Sequence, residues 1–371
     1  MARARGLHGD SQHSRPLNYT GAVRASASLA LVLLLTLATP AVAAPSQAPA
    51  AAAVAQTPPR VRLVATGGTI SNRQGGRLSA EELIKSMPAL TRYATAEFEQ
   101  FANTASSSLS LAQWLDLSRR LNTLFRDDAA LAGVVVTSGT DTLEELAYFL
   151  SLTVRDQRPV VVVGSMRNPS TLGYEGAANL LEAFRVAAEP ASRGRGALVV
   201  LNDEINAARE VTKTDALRLH TFQTRGYGLL GVVDADRVVY YRNVERRHTA
   251  ASEFDVFAIK ELPRVDVLLT YQGASGDLIR ASIDAGARGI VLATAGAGAL
   301  SGTQGEGLEY AGSKSIPVVI TTRTGSGRIA SGRGQRIAGQ DLAAIKARIL
   351  LMLALTTTTT PDELRRIFQE Y

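Results

Sequence analysis

Apolar residues along this chain follow two alternating patterns. Short continuous β-branched runs, such as Val160-Val161-Val162-Val163, are followed by longer stretches in which apolar residues recur every three or four positions. A run without polar alternation fits a strand buried on both faces. The longer recurrence fits helices that cover it. The pattern predicts strands at 61–66, 133–138, 159–164, 196–202, 231–233 and 237–241, with helices at 79–87, 110–125, 141–155 and 175–188. From 242 to 262 it lapses into charged and polar residues around Glu245-Arg246-Arg247-His248. A smaller series follows, with strands at 265–270, 288–293 and 316–321, helices at 275–285, 304–313 and 340–354, and a last helix over 361–370. Strand–helix alternation predicts parallel sheets flanked by helices. The expected fold class is α/β: a larger N-terminal parallel or mixed sheet domain over 60–242, a linker over 243–262, and a smaller C-terminal α/β domain over 263–371. No solenoid-period repeat is present.

The N-terminus stands outside this pattern. Arg3, Arg5, Arg15 and Arg24 precede an apolar stretch from Ala27 to Ala38, and Ala41-Val42-Ala43-Ala44 supplies small residues for cleavage. This reads as a secretory signal peptide over 1–43. Its apolar core is short for a membrane span. An Ala/Pro-rich linker over 44–59 follows. The expectation is a periplasmic or secreted protein without stable membrane insertion.

Charge and rare residues narrow the chemistry. The formal net charge is +6, from 40 basic and 34 acidic residues. Four arginines and one aspartate lie within 1–43, so the remainder carries +3. No basic run is interleaved with aromatics, and nucleic acid is not an expected partner. Cysteine is absent, which excludes disulfides, Cys-ligated zinc and thiol nucleophiles. After the leader only His220 and His248 remain, and neither H-E-x-x-H nor G-x-S-x-G occurs. A nucleophile in this chain is expected to rely on lysine as its base.

Two threonines in matched settings are the leading candidates. Thr69 ends the run Val61-Arg62-Leu63-Val64-Ala65-Thr66-Gly67-Gly68-Thr69, and Thr140 ends Val134-Val135-Val136-Thr137-Ser138-Gly139-Thr140. Glycines at a strand end let the backbone turn sharply beside a ligand, and in open α/β sheets ligands gather at the carboxyl ends of strands. Two such turns on adjacent strands would converge on one carbonyl, a geometry suited to acyl transfer by a threonine. Locally, each turn is equally readable as an ordinary βα connection. Asp141 reads either as a helix cap or as a ligand for an ammonium group. Glu144 and Glu145 read as partners of the helix dipole. Lys213, in Val211-Thr212-Lys213-Thr214-Asp215, is either a surface lysine or a base beside Thr140. Ser106 caps a helix or holds a carboxylate. Gly325-Ser326-Gly327 and Gly332-Arg333-Gly334 lack a P-loop context and read as mobile loops.

Taken together, these segments resemble the bacterial L-asparaginase/glutaminase family, particularly its exported type II members. The matching segments are ATGGTIS (65–71), TSGTDTLEELAYFL (137–150), PVVVVGSMR (159–167), VLNDEINAAREVTKT (200–214), FQTRGYGLLG (222–231), ELPRVDVLLTY (261–271) and KARILLMLALT (346–356). The resemblance implies two-step hydrolysis of a side-chain amide, with L-asparagine as substrate and L-glutamine as a secondary one. It implies Thr69 as nucleophile, Thr140 and Lys213 as proton-handling partners, and Asp141 as both a support for that relay and a ligand of the substrate ammonium. Ser106, Ser107 and Ser165 fall at substrate-binding positions. No metal or organic cofactor is implied. A homotetramer built as a dimer of dimers is implied, with sites shared between subunits. Three departures stand out. The loop Asn72–Arg77 holds no lid tyrosine, leaving Tyr93 and Tyr174 as possible substitutes; Ser107 replaces a glutamine; and the small domain lacks the expected asparagine near Tyr271–Ser275 and any acid between Thr322 and Gln340. The rival reading is a non-catalytic periplasmic amino-acid-binding protein. An amidotransferase subunit acting on charged tRNA fits the leader and modest charge poorly.

Overall fold

The computed structural model describes residues 57–330 and 336–371. The leader, most of the Ala/Pro linker and Gly332-Arg333-Gly334 lie outside the described residues. The first half of the chain contributes β1 (Arg60–Gly67), β2 (Asn72–Arg73), β3 (Gly76–Arg77), α1 (Ala80–Lys85), β4 (Thr95–Thr104), α2 (Leu111–Asp127), β5 (Leu131–Thr137), α3 (Leu143–Thr153), β6 (Val160–Val163) and α4 (Gly176–Ala188). Then come β7 (Ala197–Leu201), β8 (Glu204–Ala207), β9 (Val211–Lys213), β10 (Phe222–Thr224), β11 (Gly231–Val233) and β12 (Val238–Tyr240). The last third holds β13 (Val265–Leu269), α5 (Asp277–Asp284), β14 (Gly289–Thr294), α6 (Gln304–Ser313), β15 (Val318–Thr322), β16 (Ile337–Ala338), α7 (Ala344–Ala354) and α8 (Pro361–Glu370).

Eight strands form one mixed sheet in the order β12-β11-β8-β7-β6-β5-β1-β4. Its half from β7 to β4 is parallel, and β7, β8, β11 and β12 are antiparallel neighbours. A second, four-stranded parallel sheet runs β13-β14-β15-β16. The fold class is therefore the expected α/β one. One face of the large sheet packs on α4 and α1 through Phe184, Leu180 and Leu83. The other face shares a core with α2, α3 and α7, in which Phe149, Leu350 and Met352 are fully buried. Helix α7 also packs on β13, β14 and β15, so one apolar layer serves both sheets. The charged stretch between the sheets contributes Phe254 and Val256 to this same core.

The differences from the sequence pattern are local. Strand β4 was absent from it because Glu97, Glu99 and Gln100 interrupt the apolar run. As an edge strand it is half solvated, and its acids pair with Arg60, Arg62 and Arg120. Strands β8, β9 and β10 are three or four residues long, too short for periodicity to register.

A buried ion pair ties the two halves. Arg209, after β8, meets Asp341, before α7, at 2.5 and 2.9 Å, and also donates to the Tyr371 carbonyl. Both side chains are at most one-tenth exposed. The guanidinium holds the Asp341 carboxyl far below the usual carboxylate range, even though burial alone would raise it. A depressed folded value stabilises the fold fully above the unfolded carboxylate range, and that contribution disappears as pH falls toward the folded value. Asp341→Ala leaves Arg209 buried and unpaired and is expected to cost about 3–5 kcal/mol. Urea unfolding at neutral pH measures the loss, which shrinks in strong acid.

Candidate active site

Strands β1 and β5 run side by side in parallel, with Ala65 opposite Thr137. At their carboxyl ends, Thr66 N–H donates to Thr137 Oγ1 at 3.1 Å, and Thr66 Oγ1 donates to the Thr137 carbonyl at 2.6 Å. This reciprocal pair holds both strand ends at one height. Beyond it the chain turns through Gly67 and Gly68, at φ 106° and 92°, a region that favours glycine. A Cβ on Gly68 would sit 2.3 Å from Gly139 N, and one on Gly139 would sit 2.7 Å from Ser106 Oγ. Two bare backbones thus bring the Thr69, Ser106 and Thr140 loops into contact. Thr69 opens a 3-10 turn, Thr69–Ser71. Its half-buried hydroxyl has no hydrogen-bond partner among the described residues.

Strand β9 brings in the lysine. Lys213 Nζ lies 3.0 Å from Thr140 Oγ1 and 2.8 Å from Asp141 Oδ1. Thr140 is buried, whereas the Asp141 side chain is 78% exposed and so open to a ligand. The capping reading of Asp141 falls away, because the N-cap of α3 is Thr142 and no side chain caps that helix.

Glu144 and Glu145 are bridges to α7 as well as first-turn acids. Glu145 lies 3.8 Å from Arg348. Glu144 is buried, and its Oε1 accepts from Thr212 Oγ1 and from Lys213 N–H, both at 3.0 Å. Its Oε2 lies 3.6 Å from Lys346 Nζ, too far for a hydrogen bond. The fully buried Lys346 ammonium donates to the carbonyls of Arg209 and Val211. A buried Glu–Lys pair therefore seats β9 from below, and with it the backbone of Lys213. Sequence reading missed this pair. The apolar surroundings of Lys346 in Ala344–Ala354 were the available signal.

The remaining candidates divide. Ser106 is buried against Gly139, at the junction of the loops. Ser107 is exposed beside it. Ser165 is fully buried after β6, and its hydroxyl donates to the Arg167 carbonyl at 2.6 Å. Its neighbour Gly164 abuts Thr140, since a Cβ there would lie 3.3 Å from Thr140 Cγ2. Tyr93 is removed from the site. It stacks under Arg185 and sits near Pro59, at the amino end of β1, because the helical turn before β4 starts at that end of the sheet. Tyr174 reaches the Thr69 turn, where its hydroxyl donates to the Ile70 carbonyl at 2.8 Å. A cavity of about 640 Å³ borders Lys213, Arg225, Arg323 and Arg328 but is not lined by Thr69 or Thr140. The candidate groups lie at the strand ends instead. Among the described residues no group of three His, Asp or Glu could hold a metal ion.

The Glu144–Lys346 pair has a readable pH signature. Burial pushes the Lys346 ammonium down to about 8 from 10.5. The folded chain therefore holds this proton less tightly than the unfolded chain, and the cost to stability is full below pH 8 and vanishes above 10.5. A double variant, Glu144→Gln with Lys346→Met, removes this dependence. Denaturant unfolding across that window is expected to show wild type gaining stability relative to the variant as pH rises.

Comparison with known proteins gives the context. The model of the asparaginase N-terminal region matches residues 60–246, and that of the glutaminase/asparaginase C-terminal domain matches 264–368. The chain is 40% identical over 327 residues to L-asparaginase 2 of Bacillus subtilis (strain 168), covering 84% of this chain and 87% of that protein. It is 35% identical to the glutaminase-asparaginase of Pseudomonas fluorescens biotype A, covering 84% and 90%. Among solved structures, the probable cytoplasmic L-asparaginase of Campylobacter jejuni superimposes with a TM-score of 0.79 at 35% identity, covering 85% of this chain and all of that one. With both halves matched along nearly the whole folded region, this chain belongs to the asparaginase family of amide hydrolases.

Proposed function

We propose that the protein hydrolyses L-asparagine to L-aspartate and ammonia through a threonine acyl-enzyme, with L-glutamine as a secondary substrate. The observation that carries this reading is the Lys213 side-chain nitrogen, which touches both Thr140 and Asp141 beside a glycine-shaped turn that presents Thr69; as the neutral amine it accepts the proton in the steps that follow. Asp141 and Ser106 hold the ammonium and carboxylate ends of the substrate, with the exposed Ser107 beside them; Ser165, fully buried with its hydroxyl on the Arg167 carbonyl, backs the neighbouring loop and does not touch substrate. Thr69 Oγ1 attacks the carboxamide carbon. Its proton passes toward the Thr140–Lys213 pair and on to the leaving nitrogen, so that ammonia departs as the ester forms. Water then attacks the ester carbonyl, and aspartate leaves as the proton returns to Thr69. Backbone N–H groups near Thr140 stabilise the tetrahedral oxyanion, an effect worth about 3 kcal/mol per donor in other enzymes.

The same reading assigns 60–242 and 263–371 to two domains joined by 243–262, and treats 1–43 as a leader that exports the enzyme. Export rests on the leader pattern; the Campylobacter jejuni relative is named as cytoplasmic. The same reading includes assembly as a dimer of dimers, with sites shared between subunits. No acid lies between Thr322 and Gln340, so Asp141 is the main anion for the substrate ammonium within one subunit.

The test is steady-state ammonia and aspartate release from both amides by protein lacking residues 1–43. Thr69→Ala is expected to lower kcat on asparagine by at least about 10³-fold, with substrate binding retained in calorimetry. Lys213→Met is expected to lower kcat by about 10²–10⁴-fold, the range of a lost general base. Binding without aspartate formation by wild type would instead favour the non-catalytic reading.

A further inference from the structure

The turn that carries Thr69 has three carbonyls to satisfy. Gly68 O accepts from Ser71 N–H at 3.2 Å, from Ser71 Oγ at 3.1 Å and from Arg77 at 3.3 Å. Thr69 O accepts from Asn72 N–H. Ile70 O accepts from Tyr174 Oη at 2.8 Å and, among the described residues, from no other donor. Tyr174 lies 104 positions further along the chain, at the end of the loop from β6 to α4. That loop also holds Ser165.

The ring is held as firmly as the hydroxyl. A Cβ on Gly176 would fall 2.3 Å from the Tyr174 ring, so the start of α4 is shaped to admit it. Burial pushes the Tyr174 phenol well above the ordinary tyrosine value, so it remains a donor across the pH range of any assay. A second tie runs alongside: Gln74 N–H, in the turn between β2 and β3, donates to Ser170 Oγ at 2.9 Å. The segment that follows Thr69 is thus strapped at two points to the β6–α4 loop.

We propose that Tyr174 is a positioning residue for Thr69: its hydroxyl, bonded to the Ile70 carbonyl, fixes the 3-10 turn that aims the Thr69 oxygen. The proposal rests on the reading of Thr69 as nucleophile. The Ile70 carbonyl belongs to the same 3-10 turn, Thr69–Ser71, that Thr69 opens, so a change in that turn's backbone reaches Thr69 across one peptide unit. Removing the phenol hydroxyl leaves that carbonyl to find water, and the turn gains orientations in which Thr69 does not face the amide carbon. Substrate affinity resides in Asp141 and Ser106 on other loops and is untouched. The effect therefore falls on turnover and not on binding.

The experiment compares wild type, Tyr174→Phe, Ser170→Ala and Thr69→Ala, with rates normalised to the folded fraction measured by thermal melting. Tyr174→Phe is expected to lower kcat and the rate of acyl-enzyme formation by roughly 10- to 100-fold, with KM within about twofold, as a misplaced reacting atom would. Ser170→Ala is expected to lower kcat less. If Thr69→Ala is inactive and Tyr174→Phe matches wild type, the positioning role is overturned and the nucleophile reading stands. A loss in Tyr174→Phe that only tracks the unfolded fraction, or that appears in KM alone, overturns it as well. If Thr69→Ala keeps wild-type activity, the underlying reading fails and this proposal fails with it.

Discussion

The reciprocal hydrogen bonds between Thr66 and Thr137 hold the ends of β1 and β5 level, and the candidate site is arranged around that constraint. Each bond contributes only about 1 kcal/mol net, but both are buried, and breaking either would orphan a polar group. With the strand ends fixed, the loops beyond them have one route past each other. Gly68 and Gly139 pass backbone to backbone, at a separation that a single methyl group would prevent. Thr69 and Thr140 are brought to one place by that contact, although 71 positions separate Thr66 from Thr137.

The third candidate group arrives by a different physical means. Lys213 sits on a three-residue strand paired only with β10. Main-chain pairing of that extent positions little by itself. Buried charge does the rest: Glu144 anchors Thr212 and Lys213 N–H, and Lys346 on α7 anchors Glu144 and the carbonyls of Arg209 and Val211. Desolvating such groups is costly. Their value here is geometric, because a buried pair with few alternatives permits one register. The Arg209–Asp341 pair acts nearby in the same way. Helix α7 packs between α3 and the four-stranded sheet and contributes to both the apolar core and this ionic seat, so the C-terminal third supports the candidate site at the strand ends of the first half.

Much of the fold was legible in the residues. Continuous valine runs marked β5 and β6, because strands buried on both faces carry no polar alternation. The amphipathic spacing of α2 and α4 was clear as well. What escaped was either too short or too polar. Strand β4 is an edge whose acids answer arginines on β1 and α2, and its half-exposed surface reads as loop. Strands β8 to β10 exist because neighbours pair with them, and no period is visible in three residues. At the site, the two threonine turns stood out from glycine placement, and the asparaginase resemblance rested on them. Glu144 was read only for its place in a helix turn, since nothing in Thr142-Leu143-Glu144-Glu145 tells which acid faces inward.

Composition and pattern alone determined an α/β chain without thiol chemistry or Cys-ligated zinc, two hydroxyl-bearing turns at strand ends, and a lysine available as their base. These are properties of residue type and short-range periodicity, which a linear chain carries openly. Only the tertiary structure decided that Lys213 reaches Thr140, that Lys346 and Glu144 hold it there, that Tyr93 lies at the wrong end of the sheet, and that Tyr174 grips the carbonyl after Thr69. Each of those depends on contacts between segments tens to more than a hundred residues apart. Sheet order and core packing set such contacts, and no local preference encodes them.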